Sequence, residues 1–180
     1  DGEFVQQLNA ADYIEELNAA DYTFDDMLYE DFQKFPGHRK DGKLFSMMVR
    51  FGHLGVSYNK NAISAEEAMS YSCFWKDGVK GKVGHFDWHL PSLGMMSLYN
   101  GNGANLWDLS KNKWSKVQDT TLSLRPQVGG YFDYGGTFNS LKNGEMLAMC
   151  GIGDWITGVL EKDGAPVGSV VPKEGGIPVS

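Results

Sequence analysis

The sequence has no apolar stretch long enough to span a bilayer. It opens on Asp1-Gly2-Glu3, which matches neither a natural start nor a secretion signal, so it reads as a mature or excised segment. Two cysteines, Cys73 and Cys150, are too few for a disulfide framework. A bridge between them would require an oxidising compartment, and the sequence leaves that pairing open. Only 22% of residues are charged and the formal net charge is −7. Without clustered Lys and Arg to neutralise phosphates, nucleic acid is not expected as the main partner. There is no nucleophile elbow, no Walker loop and no His-Glu-x-x-His, and Gly151-Ile152-Gly153 lacks the third glycine of a dinucleotide fingerprint. No catalytic residue and no cofactor are therefore assigned, and no enzyme is expected.

What is present suits a packed α/β domain. With 42% hydrophobic and 13% aromatic residues, the 180-residue chain can bury a sizeable core as one domain or one lobe of something larger. Its 23 glycines imply tight turns and functional loops. The first 34 residues read as helical, with Leu-Asn-Ala-Ala-Asp-Tyr occurring at Leu8–Tyr13 and again at Leu17–Tyr22. An acidic helical segment carries Asp25, Asp26, Glu30 and Asp31, and Pro36-Gly37 ends it. Lys40-Asp41-Gly42-Lys43 is a turn, followed by strand-like runs at Leu44–Arg50 and Leu54–Asn59. A short helix at Ala65–Ser70 carries a capping box from Ser64 and Glu67. A strand at Lys82–Phe86 leads to a helix with Pro91 in its first turn, running to about Tyr99.

Leu109–Leu124 reads as an amphipathic helix capped by Ser110, Val128–Gly136 as a loop or short strand, and Phe138–Lys142 as a brief helix. A strand at Glu145–Cys150, a helix at Asp154–Lys162 and a strand at Val167–Val171 complete the pattern. Strands alternating with helices predict an α/β fold with a mostly parallel sheet flanked by helices. Right-handed crossovers would bring the strand-to-helix loops to one edge, where ligands bind in such sheets.

Two strand ends carry the functional argument. Asp87-Trp88 follows the strand at Lys82–Phe86, and Asp154-Trp155 follows the one ending at Cys150. Asp154 fits equally as a helix N-cap or as a ligand carboxylate. Trp155 fits as a core side chain or as an aromatic face for a cation. Helix starts favour anions, so a site for an ammonium group needs carboxylates such as Asp87 and Asp154 to reverse that preference, with Glu174 as a third charge. Arg50, beside Phe51-Gly52, is either a paired charge or a clamp for a carboxylate-bearing ligand. His85, Asp87 and His89 alternate as a continued strand would require for a metal site, but Pro91 argues that the strand has ended, and no metal is assigned.

Several stretches together carry a resemblance: Asp41–Ser46 with Gly55–Asn59, Phe74-Trp75-Lys76 with Lys80–Val83, Asn143–Met149, and Val171-Pro172-Lys173-Glu174-Gly175-Gly176. Over roughly Asp41–Ile177 the chain resembles a bacterial extracytoplasmic solute-binding protein, in order and spacing most like the spermidine/putrescine-binding proteins of ABC importers. That likeness implies a periplasmic-binding-protein-like lobe. Residues 1–40 would be a helical lead-in and crossing segment, 41–177 the second lobe of a two-lobed clamshell, and 178–180 the start of a return crossing.

It also implies a periplasmic or extracytoplasmic location, a polyamine-like small-molecule solute, and an ABC permease as partner of the intact protein. The expected ligand set is Asp87, Trp88, Asp154 and Trp155, with Arg50, Phe51 and Glu174. The alternatives are a carboxylate-bearing solute such as an opine or amino acid, or an excised lobe that forms a homodimer through surface its partner lobe would cover.

Overall fold

The structure, a computed structural model, describes residues 2–22, 27–35 and 37–179. The expectations at Asp25, Asp26, Pro36 and Ser180 lie outside them. The chain forms two compact units, Asp1–Phe51 with Val179–Ser180, and Gly52–Pro178.

In the first unit α1 spans Gly2–Ala10 and α2 spans Glu30–Gln33. No continuous helix crosses the repeated segment, contrary to the sequence reading. The first copy ends α1, with Asp12 in the left-handed region at φ 56°. The second copy makes only a 3-10 turn at Ala19–Asp21, where the Asn18 side chain accepts from Ala20 N–H. Asn and Asp offer the backbone local partners that compete with helix bonds, and each copy supplies both. Strands β1 (Arg39–Lys40) and β2 (Lys43–Leu44) pair antiparallel across Asp41-Gly42, both at positive φ as a tight hairpin turn needs. The strand expected at Leu44–Arg50 stops at Leu44; Val49 and Arg50 are exposed and carry no ladder.

The second unit is built on a five-stranded sheet in the order β6-β5-β7-β4-β8. Its strands are β4 (Val56–Asn59), β5 (Val83–Phe86), β6 (Val128–Phe132), β7 (Ala148–Cys150) and β8 (Val167–Val170). β5 runs parallel to β6 and to β7, while β4 is antiparallel to β7 and β8. Four of the five strands thus point the same way, and the fold is α/β with a mostly parallel sheet. β3 (Gly52–Leu54) pairs with β9 (Ile177–Val179) beside it.

Alternation along the strands fills both faces. On one, Leu141, Met146, Met149, Ile152, Ile156, Leu160 and Val167 form a buried cluster beneath α6 (Tyr134–Lys142) and α7 (Asp154–Lys162). Burial of each such side chain contributes about 1.5–3 kcal/mol. Gly84 faces this cluster, since a Cβ there would sit 2.5 Å from Met149 Cε. His85 therefore points to the opposite face, which α4 (His89–Tyr99) covers with buried Met95 and Met96.

α3 (Ala65–Ala68) carries the expected capping box, with Ser64 and Glu67 bonding reciprocally. α5 begins at Lys113, not Leu109, and ends at Leu124. Lys111 is left-handed at φ 57°, and Ser110 does not cap; its N–H donates to Asp108 instead. Cys73 and Cys150 are free, buried thiols, and burial pushes Cys73 up to about 12. Among the described residues no helix is long and apolar enough to cross a membrane.

Candidate functional site

Three neighbouring parallel strands, β6, β5 and β7, end on one edge of the sheet, and each feeds a helix there. β6 runs into α6 through Asp133-Tyr134, β5 into α4 through Asp87-Trp88, and β7 into α7 through Asp154-Trp155. Strands lie about 4.8 Å apart, so the three exits span about 10 Å. All three carboxylate residues are exposed.

The Asp87 turn is the most constrained. Trp88 N–H donates to Phe86 C=O at 2.7 Å, closing a three-residue turn, and Asp87 N–H donates across to Phe132 C=O at 2.9 Å. Trp88 is half-buried, edge-on to Phe86 with ring centroids 6.4 Å apart. Phe86 meets Tyr134 in the same edge-on way at 6.2 Å. One phenyl ring therefore links the aromatic residues of two adjacent exits.

The Asp154 turn depends on two glycines. Gly151 takes φ 84°, a left-handed bend that suits glycine, and lies against Phe86, Pro91 and Ser92. Gly153 is the N-cap of α7, and no side chain caps that helix. Asp154 is the first helical residue, so its carboxylate is not used as an N-cap, contrary to one reading of the sequence. Trp155 is half-buried, packed against the core cluster and folded over Gly153. Of the two readings for its indole, the packing one describes the side turned inward.

The remaining sequence-predicted residues belong to other segments of the chain. Glu174 lies in the loop after β8, where its Oε1 accepts from Ser70 Oγ at 2.5 Å and Oε2 is buried. Tyr71 O–H donates to the neighbouring Gly175 carbonyl at 2.9 Å, so this carboxylate helps to anchor the loop. Arg50 and Phe51 belong to the first unit, where Arg50 is exposed and the Phe51 ring lies 4.8 Å from that of Phe32. His85, Asp87 and His89 do not share a strand face: Asp87 has left β5, and His89 opens α4.

The profile of the bacterial extracellular solute-binding proteins matches residues 1–180 of this chain. The chain belongs to that family. The family is described as extracellular and solute-binding. No curated protein sequence matches it. Among solved structures it is similar to the spermidine/putrescine ABC transporter substrate-binding protein PotD of Streptococcus pneumoniae, determined in complex with calcium and HEPES. That likeness has a TM-score of 0.80 at 17% identity, over 97% of this chain and 52% of that one. The Tp0655 (TpPotD) lipoprotein of Treponema pallidum gives 0.78 at 14%, over 96% and 53%. The periplasmic binding protein AgtB of A. tumefaciens R10, in complex with agropinic acid, gives 0.65 at 16%, over 91% and 47%. These likenesses establish the fold, and the chain spans about half the length of the structures it resembles.

The third exit, Asp133-Tyr134, escaped the sequence reading, which placed it inside an aromatic, glycine-rich loop or short strand. Asp133 Oδ1 accepts from Gly136 N–H at 2.7 Å and caps α6, which is why that helix starts at Tyr134 and not Phe138. The dipeptide alone is a poor signal, since Asp12-Tyr13 and Asp21-Tyr22 share it. Its position after a strand and before a helix is what distinguishes it. Electrostatically, each helix start is worth about half a positive charge. The carboxylates of Asp87, Asp133 and Asp154 stand against that partial positive charge.

Proposed function

We propose that this chain is one lobe of a two-lobed solute-binding component of an ABC importer, and that its acidic edge captures a polyamine-like cationic solute for a membrane permease. On this reading residues 1–40 lead in from the other lobe, 41–177 form the lobe and 178–180 begin the return crossing. The protein works in the periplasm or its extracytoplasmic equivalent. The observation that carries the reading is the row of acid–aromatic couples at the ends of β6, β5 and β7. Asp87, Asp154 and Asp133 supply charge for the ammonium groups, while Trp88, Trp155 and Tyr134 offer faces to the methylene chain between them. Glu174 acts from the loop it anchors.

The second reading is a carboxylate-bearing solute, held by Arg50 beside Phe51 or by a helix start. The convergence of three helix N-termini favours it, as does the fold shared with an agropinic-acid binder. Titration calorimetry with putrescine, spermidine and a zwitterionic amino acid separates the two. The polyamine reading expects spermidine to bind best, and Asp87→Asn to weaken it by about 1.5–3 kcal/mol, the scale of a hydrogen bond to a charged group. Preference for the amino acid, abolished by Arg50→Ala and indifferent to Asp87→Asn, would replace it. Half a cleft leaves the bound groups partly solvated, so submicromolar affinity for the chain alone would refute the single-lobe assignment.

A further inference from the structure

We propose that His85 and Ser92 form a clamp that positions the Asp87–Trp88 turn for solute, an assignment that rests on the reading of this edge as the binding site. His85 Nδ1 lies 3.1 Å from Phe86 C=O and 3.2 Å from Ser92 Oγ, and Ser92 O–H donates to Trp88 C=O at 3.0 Å. The proton inventory allows one arrangement. Serine has a single hydroxyl hydrogen, and it is spent on Trp88; the Phe86 carbonyl can only accept. Both contacts of His85 therefore require a hydrogen on Nδ1, which makes that nitrogen a donor shared between Phe86 C=O and Ser92 Oγ.

The consequence is local and geometric. The turn from Phe86 to Trp88 is already closed by Trp88 N–H to Phe86 C=O. The clamp takes hold of the carbonyl at each end of that turn, Phe86 from His85 and Trp88 from Ser92. A serine bonding back four residues along a helix is ordinary by itself. The tie onward to a half-buried strand histidine is not supplied by helix geometry. Ser92 Oγ would also lie 3.8 Å from a Cβ on Gly151, the bend through which β7 leads to Asp154-Trp155. The same hydroxyl thus sits where two of the three acid–aromatic exits meet.

Three substitutions test the clamp. His85→Asn keeps an N–H donor near the Nδ1 position, His85→Leu keeps volume and loses the donor, and Ser92→Ala breaks the relay with little change to the helix. Trp88 is read by the difference in emission and acrylamide quenching between each variant and the same variant carrying Trp88→Phe. Spermidine affinity is read by calorimetry. The expected result is a more quenchable, red-shifted Trp88 in His85→Leu and Ser92→Ala, with spermidine binding about 2- to 10-fold weaker, the factor one net hydrogen bond supplies. His85→Asn stays near the parent.

A side chain that merely filled space would give the reverse order, with Leu tolerated and Asn not, and that order overturns the clamp. So does an unchanged Trp88 in both His85→Leu and Ser92→Ala. Should His85→Leu not fold, Ser92→Ala decides alone. If Trp88 responds as expected while neither parent nor variant binds spermidine, the clamp stands and the polyamine reading falls.

Discussion

A Cβ at Gly153 would sit 2.4 Å from Trp155 Cζ3 and 2.7 Å from the His53 carbonyl oxygen. One contact is with a ring and the other with backbone, so neither neighbour yields cheaply. Gly153→Ala is expected to destabilise the fold by about 1–3 kcal/mol, the scale of overpacking, and to shift the near-UV circular dichroism of the displaced indole. Gly158, on the exposed side of the same helix, meets nothing within 4 Å. There the substitution should stabilise by about 0.5–1 kcal/mol, because alanine gives up less backbone entropy. Urea midpoints of the two variants should move in opposite directions. The pair separates steric necessity from mere glycine content in a chain with 23 of them.

His85 gives a prediction in pH. Burial lowers its pKa, against the opposing pull of the Phe86 carbonyl and Asp87. A histidine with a depressed folded pKa is protonated more readily in the unfolded chain. Its contribution to stability is complete above the unfolded value of about 6.5 and is lost as pH falls from there toward the folded value. Glu67, held at about 2 chiefly by its hydrogen bond from Lys76, and Asp108, at about 2 through Ser110 and Lys113, act in a different window. Their contributions persist until pH falls below about 4.5. Denaturation midpoints between about pH 7.5 and 5.5 should therefore decline in the parent and decline less in His85→Asn; equal slopes would remove His85 as the cause.

At the scale of elements, the start of α6 combines two roles in one residue. Asp133 caps the helix through Gly136 N–H and also stands in the acidic row. Asparagine caps about as well as aspartate, whereas alanine forfeits about 1 kcal/mol. Asp133→Asn should leave the melting temperature unchanged while weakening spermidine, and Asp133→Ala should reduce both. If Asp133→Asn binds as the parent does, this exit belongs to the fold alone.

Elements were legible in the sequence where a local signal decides them. Ser64 with Glu67 announces α3, and Pro91 announces the first turn of α4. They were not legible where one backbone angle or one distant pairing decides. Lys111 at φ 57° delays α5 by several residues, and nothing in its chemistry foretells a left-handed lysine. Val128–Phe132 is exposed or half-buried throughout and rich in glycine and aromatic residues, which left loop and short strand both open, and pairing with β5 makes it a strand.

For the whole molecule, the sheet order explains why two of the couples could be named from sequence and the third could not. Asp87-Trp88 and Asp154-Trp155 both follow clear apolar strands, and β5 pairs directly with β7, so expecting them on one edge needed only the rule that parallel strands deliver their loops together. β6 joins that edge from the outside of the sheet, a fact of long-range pairing. The resulting row is a field as much as a set of contacts, and salt should reveal it. The chain carries a formal net charge of −7, and the three carboxylates lie within about 10 Å, roughly one Debye length at 0.1 M salt. Raising sodium chloride from about 50 mM to about 500 mM shortens that length below the span of the row. Spermidine affinity should then fall severalfold and putrescine affinity less, in keeping with their charges, while a zwitterionic amino acid should barely respond. The triple variant Asp87→Asn, Asp133→Asn, Asp154→Asn should flatten the dependence for spermidine. A slope that survives in the triple variant would assign the attraction to the general acidity of the surface and leave the edge of β6, β5 and β7 without its role in recognition.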